Sequence, residues 1–144
     1  MKKIFINLLG VLFLGMMINC SSVPGKNPSV QREWMLISFG KFDKEEMVKS
    51  RAGINLTGAM EGEKIRGGAF MGCNKMFFTG EFRKNGKMKI SGVGSTMMAC
   101  QNMKLERAFV NSFERITRYS VEGHFLTLYD DKGIVMKFVA SDWD

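Results

Sequence analysis

The runs GGAFMGCNKMFF (residues 67–78) and STMMAC (residues 95–100) place Cys73 and Cys100 in the body of this 144-residue chain. A third cysteine, Cys20, closes the N-terminal segment MKKIFINLLGVLFLGMMINC. Thiols admit nucleophilic catalysis, metal binding, redox exchange and cross-linking. A cysteine nucleophile needs a base beside it. The one imidazole, His124, lies in VEGHFL, where a turn between strands is expected. A closed zinc site wants four nitrogen or sulfur ligands, and two body thiols with one histidine do not supply them. The spacing of Cys73 and Cys100 is nothing like the Cys-x-x-Cys of thiol redox catalysts. Met71, Met76, Met97, Met98 and Met103 lie near these cysteines in sequence, and thioethers with thiolates suit Cu(I). Methionine alternating with other apolar residues is more ordinarily a filler of irregular core space.

The remaining polar groups form no catalytic set. Glu61, Glu63, Glu81, Asp130, Asp131 and Asp142 are scattered, and those in turn-like contexts serve local backbone hydrogen bonding. The glycine-rich stretches lack the GxxxxGK[ST] spacing that cradles phosphate. Arg83, Lys84, Lys87 and Lys89 cluster in RKNGKMK. They would suit an anionic lipid surface, but lysines also guard sheet edges against pairing, the commoner role.

Which chemistry applies depends on compartment. Lys2 and Lys3 precede an apolar stretch from Ile4 to Ile18 interrupted by Asn7. A charged region before a short apolar one reads as a signal peptide over residues 1–19, since a permanent membrane span needs about 20 apolar residues. Cys20 follows directly, with Met17 three positions before it and Asn19 adjacent. A cysteine at that point is the expected site of lipidation in a bacterial lipoprotein, and more than one acyl chain would give stable membrane anchoring. Loss of Lys2 and Lys3 with the leader lowers the formal net charge from +7 to +5, an excess spread along the chain that does not point to nucleic acid. Both prolines lie within residues 21–30, so residues 20–31 read as a lipid-anchored linker and residues 32–144 as one domain.

That domain reads mostly as strands. EWMLISFG, AGINLTGAM and KIRGGAFMGC give the first three, and the adjacent Gly67 and Gly68 predict a bulge or a close backbone approach. FFTGEFRKNGKMKISGV predicts a hairpin around Asn85-Gly86, a dipeptide suited to a type I′ turn. RYSVEG, HFLTLYDD and KGIVMKFVAS predict three more strands, with Ile134, Met136 and Phe138 sharing a face. In QNMKLERAFVNSFERITRYS the spacing of Leu105, Phe109, Phe113 and Ile116 predicts an amphipathic helix of about four turns, N-capped by Asn102 and carrying a Glu114–Arg118 ion pair. The expected fold is α+β: a curved antiparallel sheet or small barrel of six or more strands capped by one helix. FGKFDKEEMVKSRAG, spanning residues 39–53, offers no motif that fixes its path.

In an exported chain a cysteine pair such as Cys73 and Cys100 is most often a disulfide. At these residues a resemblance emerges. Trp34-x-Leu36, Gly68, Gly72-Cys73-Asn74, Thr96-Met97-Met98-Ala99-Cys100, Glu106, Phe109, Tyr119 and Leu126-x-Leu128 occur in the order that resembles the META domain family of HslJ-like envelope proteins, over about residues 32–140. The resemblance implies a small barrel-like sheet with one helix, often lipid-anchored, and a disulfide that maps onto Cys73 and Cys100. It also implies association with envelope stress and drug tolerance, with no shared catalytic residue and no cofactor. The expectation is therefore a non-enzymatic lipoprotein, periplasmic or at the outer membrane, held there through Cys20. The alternatives are a secretion-pilot-like or ligand-binding module for a lipid tail, small apolar molecule or partner peptide in the envelope, and a thiol-redox or Cu(I)-handling protein.

Overall fold

A computed structural model describes residues 27–143. The expected signal peptide and the lipidation site Cys20 lie outside the described residues. In chain order the elements are β1 (Glu33–Phe39), α1 (Lys44–Lys49), β2 (Gly53–Asn55), β3 (Met60–Glu61), β4 (Lys64–Phe70), β5 (Lys75–Phe82), β6 (Met88–Ser95), α2 (Lys104–Phe113), β7 (Arg118–Glu122), β8 (Phe125–Asp130) and β9 (Gly133–Ala140). The strands form one antiparallel sheet in the order β6-β5-β4-β2-β1-β9-β8-β7, with β3 pairing beside β4. The sheet curls into a half-barrel around α2, as the α+β reading predicts. Among the described residues no helix is long and apolar enough to cross a membrane.

Alternation sets the inner face. Trp34 and Leu36 of β1, Met76, Phe78 and Phe82 of β5, and Met136 and Phe138 of β9 are buried, the period-2 pattern of a strand with one wet face. In β1 the register against β9 shifts between Leu36 and Ser38. That bulge changes the phase so that Phe39 also turns inward. Within the expected linker Val30 is buried, and its carbonyl accepts the indole N–H of Trp34 at 3.0 Å.

The adjacent glycines of β4 resolve as a close approach. The β4–β5 register runs unbroken from Lys64↔Glu81 to Phe70↔Lys75. Gly67 faces Phe78, and a Cβ there would lie 2.6 Å from the phenyl ring. Its hydrogen is what lets the ring sit inside, where it meets Phe113 edge-on with centroids 4.8 Å apart.

Helix α2 fills the barrel. Leu105, Phe109 and Phe113 recur every fourth residue and are buried, with Phe109 stacked on Phe113. The helix is shorter than expected and ends at Phe113. Arg115 and Ile116 donate backbone N–H groups to Ser112 and Phe113 carbonyls, tightening the last turn. Ile116 still enters the core, but from Arg118 onward the chain pairs with β8. The β-branched and aromatic residues there favour extended backbone. Arg118 therefore cannot meet Glu114 as a helix neighbour; its guanidinium lies over the Tyr129 ring instead. Nor does Asn102 form the N-cap. Met103 occupies that position without a side-chain bond, while Asn102, one residue earlier, accepts from the Lys104 N–H.

Residues 39–53 hold a short helix. Asp43 accepts the Glu45 N–H, and Glu45 and Glu46 occupy the positive end of α1. At its other end Arg51 N–H bonds the Val48 carbonyl and Ala52 N–H the Met47 carbonyl, the paired bonds of a Schellman motif. That motif requires a left-handed residue, and Arg51 supplies it at φ 49°, the one non-glycine positive φ among the described residues.

The hairpin turn differs from the expected type. Gly86 has φ 77° but Asn85 does not have a positive φ. Gly86 N–H bonds the Arg83 carbonyl and Arg83 N–H bonds the Lys87 carbonyl, giving a type I turn with glycine at the bulge position rather than type I′. This tip latches the half-barrel. Met88 N–H bonds the Thr117 carbonyl and Tyr119 N–H the Gly86 carbonyl, both at 2.8 Å, so β6 and β7 meet at one end.

Candidate functional site

Cys73 and Cys100 are joined by a disulfide with Cα atoms 6.0 Å apart. It ties the turn between β4 and β5 to the loop entering α2. Gly72 takes φ 104° in that turn, with Ser50 of the α1 terminus packed against it.

Asn74 is the centre of the polar geometry. It is buried, as is Glu106 in the first turn of α2. Both carboxyl oxygens of Glu106 accept from Asn74, one from its backbone N–H and the other from its side-chain Nδ2, each at 2.7 Å. The Asn74 Oδ1 accepts from the Thr96 hydroxyl at 2.9 Å and from the Met98 N–H at 2.7 Å. A further Nδ2 contact reaches the Met98 carbonyl at 3.3 Å. Thr96 also accepts from the Lys75 N–H, and its own N–H bonds the Lys75 carbonyl. One asparagine thereby ties a turn, a loop and a helix together, with every donor and acceptor of its amide used. The burial of Glu106 is compensated by two charge-assisted bonds.

The structure brings together Gly72, Cys73, Asn74, Thr96, Met98 and Cys100 around that centre, with Ala99 beside the disulfide in the same loop. These residues hold one another, so the cluster braces the turn, the loop and the helix. Among the described residues, no buried side-chain polar atom lacks a hydrogen-bond partner.

The other sequence candidates separate. Met71 and Met76 are core residues, whereas Met97 is fully exposed and Met98 largely so. The two cysteine sulfurs are bonded to each other, so neither is a free thiolate. Among the described residues no group of three or more His, Cys, Asp or Glu side chains is placed to hold a metal ion. His124 is exposed and stacks on Trp143, with its Nδ1 3.4 Å from a guanidinium nitrogen of Arg32. Arg32 hydrogen-bonds Asp142 and holds its carboxyl below the usual value of 3.8. Glu81 is lowered in the same way by Arg83. Asp130 caps its own turn and Asp131 accepts from Thr117.

The outer face of the sheet across β9, β1, β2, β4 and β5, walled by α1, forms an open groove of about 860 Å³. Met35 and Val48 are exposed along it, at 47% and 63%. Cross-strand neighbours Val139, Met35, Gly53 and Phe70 form one row. Gly53 and Gly68 leave the floor without side chains. No sequence period announces this groove, because strands far apart in the chain build it.

The META domain family model matches residues 28–143. No curated protein matches the chain significantly. Among solved structures, an NMR structure of a protein from Burkholderia xenovorans superposes with a TM-score of 0.57 at 18% identity, covering 88% of this chain and 97% of its own. A second NMR structure gives 0.56 at 22% identity, with coverage of 78% and 92%. At these identities the likeness concerns the fold.

Proposed function

The chain belongs to the META domain family, and from that premise we propose that it is a non-enzymatic lipoprotein of the bacterial envelope, held on a membrane through lipidated Cys20. The observation that carries the reading is the Asn74–Glu106 centre beside the Cys73–Cys100 disulfide. The residues that best define the family resemblance hold the fold together, and a disulfide suits an oxidising compartment outside the cytoplasm. A domain built this way acts through its surface. It would serve the envelope under stress or drug challenge by contact rather than turnover.

The intact mass of the protein extracted from bacterial membranes tests this. The reading expects loss of residues 1–19 and a mass increment for acyl chains on Cys20, both abolished by Cys20→Ser. Unprocessed, unacylated protein in the soluble cytoplasmic fraction would contradict it.

The second reading, a ligand-binding module, is favoured by the outer groove. The barrel interior is packed with Trp34, Phe78, Phe82, Phe109, Phe113 and Phe138, which supports a site on the outer face over one inside.

A further inference from the structure

The geometry points to a long-chain fatty acid as the occupant of the outer groove, its chain laid across the sheet and its carboxylate held at the cationic rim. The proposal rests on the ligand-binding reading and gives it a site and a chemistry. Three observations carry it: size, floor and charge.

The volume of about 860 Å³ falls within the range of small-molecule sites. From β9 to β5 the groove crosses four interstrand spacings, about 19 Å, the reach of one extended long acyl chain. The floor is apolar and smooth. Gly53 and Gly68 expose backbone between Met35, Phe70, Val139 and Val48, so a methylene chain can lie flat on it.

Cations outnumber acids in the lining three to one. Lys44, Arg51 and Lys75 line the groove, and among the described residues none of the three has an ion pair or a side-chain hydrogen bond. Glu33, the acidic residue in the lining, accepts from the Asn55 amide at 2.6 Å. Glu45 lies beyond Lys44 on α1. Arg51 also stands in a left-handed conformation where glycine would be less costly. Arg51 lines the groove from the C-terminal end of α1. A cationic rim over an apolar floor is complementary to an anionic single-chain amphiphile.

The test is palmitate titration of the full chain carrying Cys20→Ser, which removes any acyl group of its own, with ¹³C-methyl methionine NMR as the readout. Met35 lies in the groove and Met97 is fully exposed elsewhere. The expected result is a saturable shift of the Met35 methyl at one palmitate per chain, below the concentration where palmitate aggregates, with Met97 unmoved. Hexadecanol, of the same length without the charge, should bind at least about fivefold more weakly. Arg51→Gly, which suits the backbone, and Lys75→Gln should each weaken palmitate by about threefold to fivefold and leave hexadecanol unchanged. Gly68→Leu, whose Cβ would meet nothing closer than 3.5 Å, should abolish binding of both while the circular dichroism stays unaltered.

A Met35 methyl that does not move, equal affinity for palmitate and hexadecanol, or a non-saturating shift shared by Met97 would each overturn the proposal. So would binding to anionic phospholipid vesicles without palmitate binding, which would assign this face to a membrane surface. None of these outcomes bears on the acylation of Cys20, so the fatty-acid proposal can fail while the lipoprotein reading stands.

Discussion

Removing the carboxyl of Glu106 should destabilise the domain far more than removing an ordinary helical glutamate. Its two oxygens accept two 2.7 Å bonds from one buried residue. Hydrogen bonds to a charged group contribute roughly 1.5–3 kcal/mol each, and an orphaned buried donor costs a further 1–3 kcal/mol. Glu106→Gln keeps the shape but replaces one acceptor with an NH₂ group that faces an N–H donor. It should cost about 2–4 kcal/mol. Glu106→Ala leaves both Asn74 donors unpaired and should cost about 3–5 kcal/mol. Asn74→Ala strips acceptors from Thr96 and Met98 as well and belongs in the same range. Because the two residues share one network, the double substitution should cost less than the sum of the singles by about 1–3 kcal/mol. Urea denaturation of the oxidised protein, followed by circular dichroism, measures all four. A Glu106→Gln loss below about 0.5 kcal/mol, or full additivity with Asn74→Ala, would refute the brace. Glu106 would then resemble a group held for chemistry, whose replacement commonly leaves stability intact or raises it.

Four further outcomes follow from the geometry. Gly67→Ala places a methyl 2.6 Å from the Phe78 ring and should cost about 1–3 kcal/mol in chemical denaturation, whereas Gly68→Ala next to it should fall within about 1 kcal/mol of the parent. Burial, with a contribution from Glu63, raises the Tyr119 phenol above its usual value of 10.0. Since the unfolded chain then ionises first, stability is full below pH 10 and declines as pH rises through the folded-state value. Tyr119→Phe should flatten that alkaline limb in a pH series of melting temperatures, at a cost under about 1 kcal/mol for the lost bond to the Arg83 carbonyl. Arg51→Gly should be neutral or stabilising by up to about 1 kcal/mol, read from the same denaturation curves. Reducing the disulfide, which spans 27 residues of chain, should lower stability by about 3.5 kcal/mol, measured with and without dithiothreitol.

The elements legible in the sequence were those whose signal is local. Alternation marked β6 and the last strand, turn residues bounded the others, and the four-residue spacing of Leu105, Phe109 and Phe113 marked the start of α2. The end of α2 was not legible, because Ile116 continues the helical spacing while Arg118 and Tyr119 are claimed by pairing with β8. Helix α1 has six residues with only Met47 buried, too little to make a period. AGINLTGAM read as one strand but breaks into β2 and β3, where Asn55 accepts from both the N–H and the hydroxyl of Thr57 and turns the chain.

The brace was half legible. The cysteine pair carries its own signal in an exported chain, and the family resemblance marked Asn74 and Glu106. Nothing local joins those two, which are 32 residues apart and meet only when α2 enters the barrel. The groove was not legible at all, since five strands from both halves of the chain compose it.

The most direct test of the account is the thiol state of Cys73 and Cys100 in protein recovered from cells under acid quench. The chain is unfolded in iodoacetamide without reductant, digested, and its peptides are weighed. The account predicts a disulfide-linked pair of peptides carrying Cys73 and Cys100, with both residues alkylated only after reduction. Quantitative alkylation of either cysteine before reduction would contradict it.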